Sequence, residues 1–180
     1  MEELDRLAAE VEPMAGGEPR EELGALEEVL GRRRGFSGDQ EDYDDPDNSM
    51  LDLVLERRRG LPILLSVVYV EVARRAGIAL AGVGLPGHYV AGHFGQSPPV
   101  LIDPFAGGAA LEVPVPADLR PWSPHETALR MLNNLVGSYG RRADFSRAIR
   151  AAEMRLELPL DKESEVALSA ELRALRARLN

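Results

Sequence analysis

Three side chains and one absence define the chemistry open to this 180-residue sequence. Ser66 closes the stretch Gly60-Leu61-Pro62-Ile63-Leu64-Leu65-Ser66, which opens an apolar helical run. His88 follows in Pro86-Gly87-His88-Tyr89, and Asp103 in Leu101-Ile102-Asp103-Pro104-Phe105. A hydroxyl on a helix, with an imidazole and a carboxylate on neighbouring strands, supplies the parts of acyl transfer: a nucleophile, its base, and the group that orients the base. The absence is cysteine, of which the chain has none. The layout is that of thiol chemistry, yet the helix is headed by Pro62, which carries no nucleophile.

The segment from His88 to Asp103 reads as a hairpin. Gly95-Gln96 suits a two-residue type II′ turn, with glycine first. Pairing Phe94 with Ser97 then sets His88 opposite Asp103 and Val90 opposite Leu101. Directly opposed residues share a face with Cβ atoms about 5 Å apart, and an Asp so placed holds an imidazole in one tautomer. A slip of one residue would send Asp103 to the other face. Taken singly, His88 also reads as a strand-end histidine satisfied by backbone, and Asp103 as a turn residue before Pro104. Their opposition, with Gly84 and Gly87 permitting close backbone approach, favours a paired site.

The remaining candidates have plainer readings. His93 lies five residues from His88 and points to the opposite face, so a two-histidine metal site is not expected. His125, after Pro124, reads as a helix cap. Ser66 sits one turn inside its helix, beyond the strongest field of the N-terminus. A buried helical serine commonly bonds back to the carbonyl four residues earlier. Neither a metal nor a cofactor is expected.

The elements that must position these groups are legible from periodicity. Leu4, Leu7, Ala8 and Val11 mark one amphipathic helix, and Leu23, Leu26, Val29 and Leu30 a second. Gly35 to Asp47 is an acidic loop with Asp39, Glu41, Asp42, Asp44, Asp45 and Asp47; it lacks the central Gly and terminal Glu of an EF-hand and reads as solvated. Ser49 is placed to cap a helix reaching Arg59, with Asp52 as its capping-box partner. Pro62 opens the next helix, where its missing N–H is unpaired anyway, and Gly77 closes it. That helix is apolar nearly all round and is therefore the central one. Ile78–Leu85, Tyr89–Phe94 and Val100–Ile102 read as strands. From about Ser123 the chain is helical again, with Leu129, Leu132, Leu135, Val136 and Tyr139 as one apolar face and Phe145, Ala148, Ile149 and Ala152 as a second. Pro159 ends this pair, and a last helix is built on Val166, Leu168, Leu172, Leu175 and Leu179.

The net charge of −9 disfavours nonspecific nucleic-acid contact, which needs a basic face. The triplets Arg32–Arg34 and Arg57–Arg59 read as helix-end cations that complement the dipole. The start has no basic, apolar leader pattern, and the longest near-apolar run, Leu61 to Val70, is about half a bilayer span. A cytoplasmic protein without a membrane partner is the expectation.

Several segments together resemble a bacterial family with a transglutaminase-like core and a tetratricopeptide-like helical tail. They are Tyr43 to Ser49, Val54 to Pro62, Leu65 to Tyr69, Gly82 to Tyr89 and Asp103 to Gly108. The resemblance implies a papain-like α+β fold, in which a central helix packs on a small antiparallel sheet. It divides the chain into N-terminal helices over 1–35, the core over 36–116, and docked helices over 117–180. It also implies a Cys-His-Asp triad, with the cysteine at the N-terminus of the central helix, where the dipole favours thiolate. His88 and Asp103 match two of those positions, Pro62 takes the third, and Asn48, Pro62, Tyr69 and Gly87 line the cleft. The function expected is a degenerate transglutaminase-like module that binds a peptide or protein. A Ser66-His88-Asp103 hydrolase or acyltransferase acting on amide or ester bonds, and a purely structural subunit, are the alternatives.

Overall fold

Pro62 occupies the first position of the central helix, α4, which spans Pro62–Arg75. Its side chains Ile63, Leu64, Leu65, Val68, Tyr69, Val72 and Ala73 are all buried. Each fully buried aliphatic contributes roughly 1.5–3 kcal/mol of transfer free energy, so this helix anchors the core. Arg74 and Arg75 fall in its last turn, and Gly77, at φ +76°, takes the left-handed position that ends it. The computed structural model describes residues 2–116 and 118–179. The expected boundary at Ala117 therefore lies outside the described residues.

α4 is wrapped on several sides. Helix α1 (Glu2–Val11) packs on it through Leu4, Leu7, Ala8 and Val11. Helix α2 (Pro19–Leu26) follows and continues as a π-helical stretch, Glu27–Arg33. Arg32 and Arg33 lie in its last turn and pair with Glu27 and Glu28, while Arg34 pairs with Glu10. A four-stranded antiparallel sheet covers another side, in the order β3 (Leu80–Leu85), β4 (His88–His93), β5 (Val100–Asp103) and β6 (Ala109–Ala110). A separate two-residue parallel ladder joins β1 (Ser37–Gly38) to β2 (Arg59–Gly60). Neither that ladder nor β6 is legible in the sequence, because two residues carry no periodicity.

The region before α4 departs from expectation. Pro46–Ser49 forms a 3-10 turn, capped by Asp45, whose carboxylate accepts from the Asp47 N–H at 3.1 Å. Helix α3 (Leu51–Arg57) then starts from Met50 without any side-chain cap. Ser49 is not the cap: it is buried and its hydroxyl has no hydrogen-bond partner. Nor is the acidic loop simply solvated. The Arg57 guanidinium lies 3.6, 3.2 and 3.3 Å from Asp39, Asp45 and Asp47. The second arginine triplet is thus only partly a helix end, since Arg58 is the C-cap at φ +58° and Arg59 is in β2.

The C-terminal helices are α5 (Pro124–Arg141), α6 (Phe145–Arg155) and α7 (Lys162–Ala177). Ser123, not His125, caps α5 in a reciprocal capping box with Glu126. Val136, Ala151, Ala152 and Leu172 form a second apolar cluster between these helices. The helices are tied to the rest by α5 packing on α4 and on the 3-10 turn, and by Arg141 with Asp44 and Arg142 with Asp42. No helix among the described residues is long and apolar enough to cross a membrane.

Candidate functional site

His88 Nε2 lies 3.0 Å from Asp103 Oδ2. The contact is the expected one, but the register that makes it is not. The β4–β5 ladder pairs Ala91 with Ile102, Gly92 with Leu101 and His93 with Val100. Extended by one step, it sets Val90 opposite Asp103, so His88 is a diagonal neighbour two residues away. The offset from the expected pairing is two residues, and because strand side chains alternate with period two, an even slip keeps both on one face. Diagonal neighbours remain within reach of long side chains.

The slip has a local cause. A two-residue turn at Gly95-Gln96 needs the ladder to continue past His93. Pro98 and Pro99 have no N–H to donate to it, and the Phe94 N–H goes instead to the Ala79 carbonyl at 2.9 Å. The connection therefore takes in residues 94–99.

Asp103 works in two directions. Its Oδ1 accepts from the Phe105 N–H at 2.9 Å, capping the 3-10 turn Pro104–Ala106, which leaves Oδ2 for His88. A carboxylate only accepts, so the network assigns the proton of neutral His88 to Nε2 and leaves Nδ1 as the basic nitrogen. The His88 side chain is 32% exposed and Asp103 is 17% exposed. The His88 ring meets Phe105 edge-on at 6.4 Å, and Phe105 meets the exposed Tyr43 at 6.1 Å. Phe105 also walls a groove of about 900 Å³, together with Gly38, Asp39, Glu41, Arg57 and Arg59. This aromatic chain was missed in the sequence, although Phe105 directly follows Asp103-Pro104.

Ser66 is not brought to this pair. It is fully buried and its hydroxyl has no hydrogen-bond partner, so it neither bonds back to Pro62 nor reaches His88. It stands instead in the wall of a cavity with Tyr89, Trp122 and Thr127. His93, on the opposite face from His88 as its offset requires, is buried against Glu22 at 2.6 Å and accepts from the Gly95 N–H at 3.1 Å.

Asn48, Pro62 and Tyr69 are buried, and with Gly87 they contribute to none of five cavities of about 240–900 Å³. Asn48 links the acidic loop to the head of α4. Its side-chain amide donates to the Asp42 carbonyl at 2.8 Å and to Asp39 at 3.2 Å, while its backbone carbonyl accepts from the Leu61 N–H at 3.0 Å. The Tyr69 hydroxyl has no partner; burial, then the charges of Glu27 and Asp103, push the phenol well above its ordinary range. Gly87, at φ +72°, forms the β3–β4 turn with Pro86, as a type II turn requires at that position. The close approach at Gly84 is made by an indole: a Cβ there would lie 2.0 Å from the Trp122 ring. No group of three or more side chains suited to holding a metal ion occurs among the described residues.

A family model described as the transglutaminase-like superfamily matches residues 1–119, and so takes in the N-terminal helices. A UPF0162 protein of Xylella fastidiosa strain 9a5c is 38% identical over 76% of this chain and 55% of its own length. A UPF0162 protein of Vibrio cholerae is 33% identical over 58% of this chain and 40% of its own. The chain thus spans about half the length of the curated relatives it matches. A shorter stretch is similar to the human F-box only protein 21, at 37% identity over 38% of this chain and 11% of that protein. No solved structure matches.

Proposed function

We propose, from the premise that the chain belongs to the transglutaminase-like superfamily, that it is a member without the nucleophile and binds a peptide or protein segment beside His88. What supports this reading is the head of α4. Pro62 stands at the first helical position, buried and without a reactive atom, while the His88–Asp103 contact persists at 3.0 Å. Acyl transfer needs a nucleophile within reach of its base. An imidazole that keeps its orienting carboxylate but has no nucleophile still serves recognition, as a partly exposed ring whose Nδ1 is left to accept.

The surface around it suits a peptide. His88, Phe105 and Tyr43 form a contiguous aromatic edge, and Phe105 continues into the groove that holds Arg57 and Arg59 beside Asp39 and Glu41. Aromatic anchors with polar flanks are the composition of recognition hot spots. The C-terminal helices, read as tetratricopeptide-like, would extend this surface. The alternative of a Ser66-based hydrolase has no geometric support, because the Ser66 hydroxyl has no hydrogen-bond partner.

The reading is tested by pairing two measurements. A hydroxyl-directed acylating probe, and a glutamine peptide offered with a primary amine, should give neither label nor product. A peptide array should give ligands whose binding falls in His88→Ala and Phe105→Ala. Labelling that disappears in Ser66→Ala would establish an enzyme instead. An array without ligands would leave a structural subunit as the better description.

A further inference from the structure

On the basis of the peptide-binding reading above, we infer that the groove beside Phe105 selects a peptide carrying both signs of charge. A carboxylate of the peptide meets Arg59, and a cationic side chain meets Glu41.

The charged side chains that wall this groove of about 900 Å³ are Asp39, Glu41, Arg57 and Arg59, and they are not equivalent. Asp39 and Arg57 already have partners. The Asp39 carboxylate accepts from the backbone N–H groups of Glu41 and Asp42, at 3.1 Å each, and from the Asn48 amide at 3.2 Å. The Arg57 guanidinium stands among Asp39, Asp45 and Asp47. Arg59 and Glu41 are both exposed, and among the described residues neither has an ion-pair partner. The guanidinium of Arg59 donates only to a neutral group, the Gly38 carbonyl at 3.3 Å.

Gly38 fixes this positive end of the groove. A Cβ there would lie 2.3 Å from the Phe105 ring, so the absence of a side chain lets the ring lie against the β1 backbone. The carbonyl of the same residue takes one N–H of Arg59. The aromatic wall and the cation are thus held by one residue, and the other guanidinium N–H groups stay available to a carboxylate.

Charge complementarity then selects the ligand. A purely acidic peptide would pair with Arg59 and be repelled by Glu41, and a purely basic one would meet the reverse. A peptide with one charge of each sign satisfies both.

The test uses the full chain and short Gly-Ser-Gln peptides containing one phenylalanine. They carry a glutamate, an arginine, both in either order, or neither, and binding is read by fluorescence anisotropy at low salt. A doubly charged peptide should bind about two- to fivefold tighter than either singly charged one, the equivalent of one exposed ion pair. Arg59→Ala should remove the gain from glutamate and keep the gain from arginine. Glu41→Ala should do the converse, and added salt should erase both gains. Peptides that need His88 and Phe105 but bind regardless of their charges would overturn this inference and leave the peptide reading standing. So would gains that survive in Arg59→Ala or Glu41→Ala, or a charged set that fails to bind while the peptide array yields ligands. An array without ligands would remove the peptide reading and this inference with it.

Discussion

Asp103 and His88 are diagonal neighbours on adjacent strands, joined at 3.0 Å through one carboxylate oxygen while the other caps the turn to Phe105 at 2.9 Å. Removing the two partners therefore has unequal consequences. Asp103→Ala frees both the Phe105 N–H and the imidazole and should cost about 1–3 kcal/mol. His88→Ala, at a partly exposed position, should cost less than about 1 kcal/mol. Denaturant unfolding of both variants and the double variant reads the coupling; equal costs would mean that Asp103 has no separate capping role.

Pro62→Cys tests whether that position stands where the family has its nucleophile. The helix N-terminus favours thiolate by about 0.3–1 kcal/mol, whereas burial favours the thiol by more. The dipole alone cannot prevail, so a thiol titrating below the ordinary value of about 8.5 requires the imidazole beside it as well. The inherited-site reading expects this low value in the pH dependence of alkylation. A thiol titrating at or above the ordinary value sinks the alignment.

Gly84 is a hollow for the one tryptophan. A Cβ would meet the Trp122 ring at 2.0 Å, and Trp122 in turn packs edge-on against Tyr89 at 5.5 Å. Gly84→Ala should displace the indole at a cost of about 1–3 kcal/mol and shift its emission. Unchanged fluorescence and stability would show that the sheet edge yields instead.

The capping box of α5 carries a pH signature. The hydrogen bond from Arg120, then those from Ser123, lower Glu126 from 4.5 to about 2. A depressed carboxyl contributes stability above its unfolded value and loses it as pH falls through the folded one. Wild type should therefore lose stability between about pH 4.5 and about pH 2 through this group. Glu126→Gln can keep the box and should flatten that part of the acid limb. An unaltered limb would place the sensitivity elsewhere.

Arg57 holds together three carboxylates that repel one another. Arg57→Ala should destabilise the protein by about 1 kcal/mol. Added salt should then stabilise the variant by screening Asp39, Asp45 and Asp47, whereas it weakens the wild-type pairs. Salt responses of the same sign in melting experiments would argue against the clamp.

Much of the fold was legible because its signals are local. Pro62 and Gly77 delimit α4, an apolar surface all round places it at the centre, and the offset of five separates His93 from His88. The errors lie where a local signal had a distant competitor. Ser49 fits a cap by type and spacing, but the 3-10 turn from Pro46 takes it into the interior and Met50 starts the helix. Gly95-Gln96 fits a tight turn, but the Phe94 N–H finds its acceptor in Ala79.

The sequence by itself determined the helix that Pro62 opens and Gly77 closes, and it predicted a shared face for His88 and Asp103. That shared face depends on the parity of the register, which the tertiary structure decided by a slip of two. Tertiary structure alone decided what lies near them. It buried Ser66 in a different wall from His88. It set Trp122 over Gly84 and joined Arg141 to Asp44 across 97 residues of chain. Spacing fixes direction along an element, whereas distance between elements follows from the packing of side chains remote in sequence.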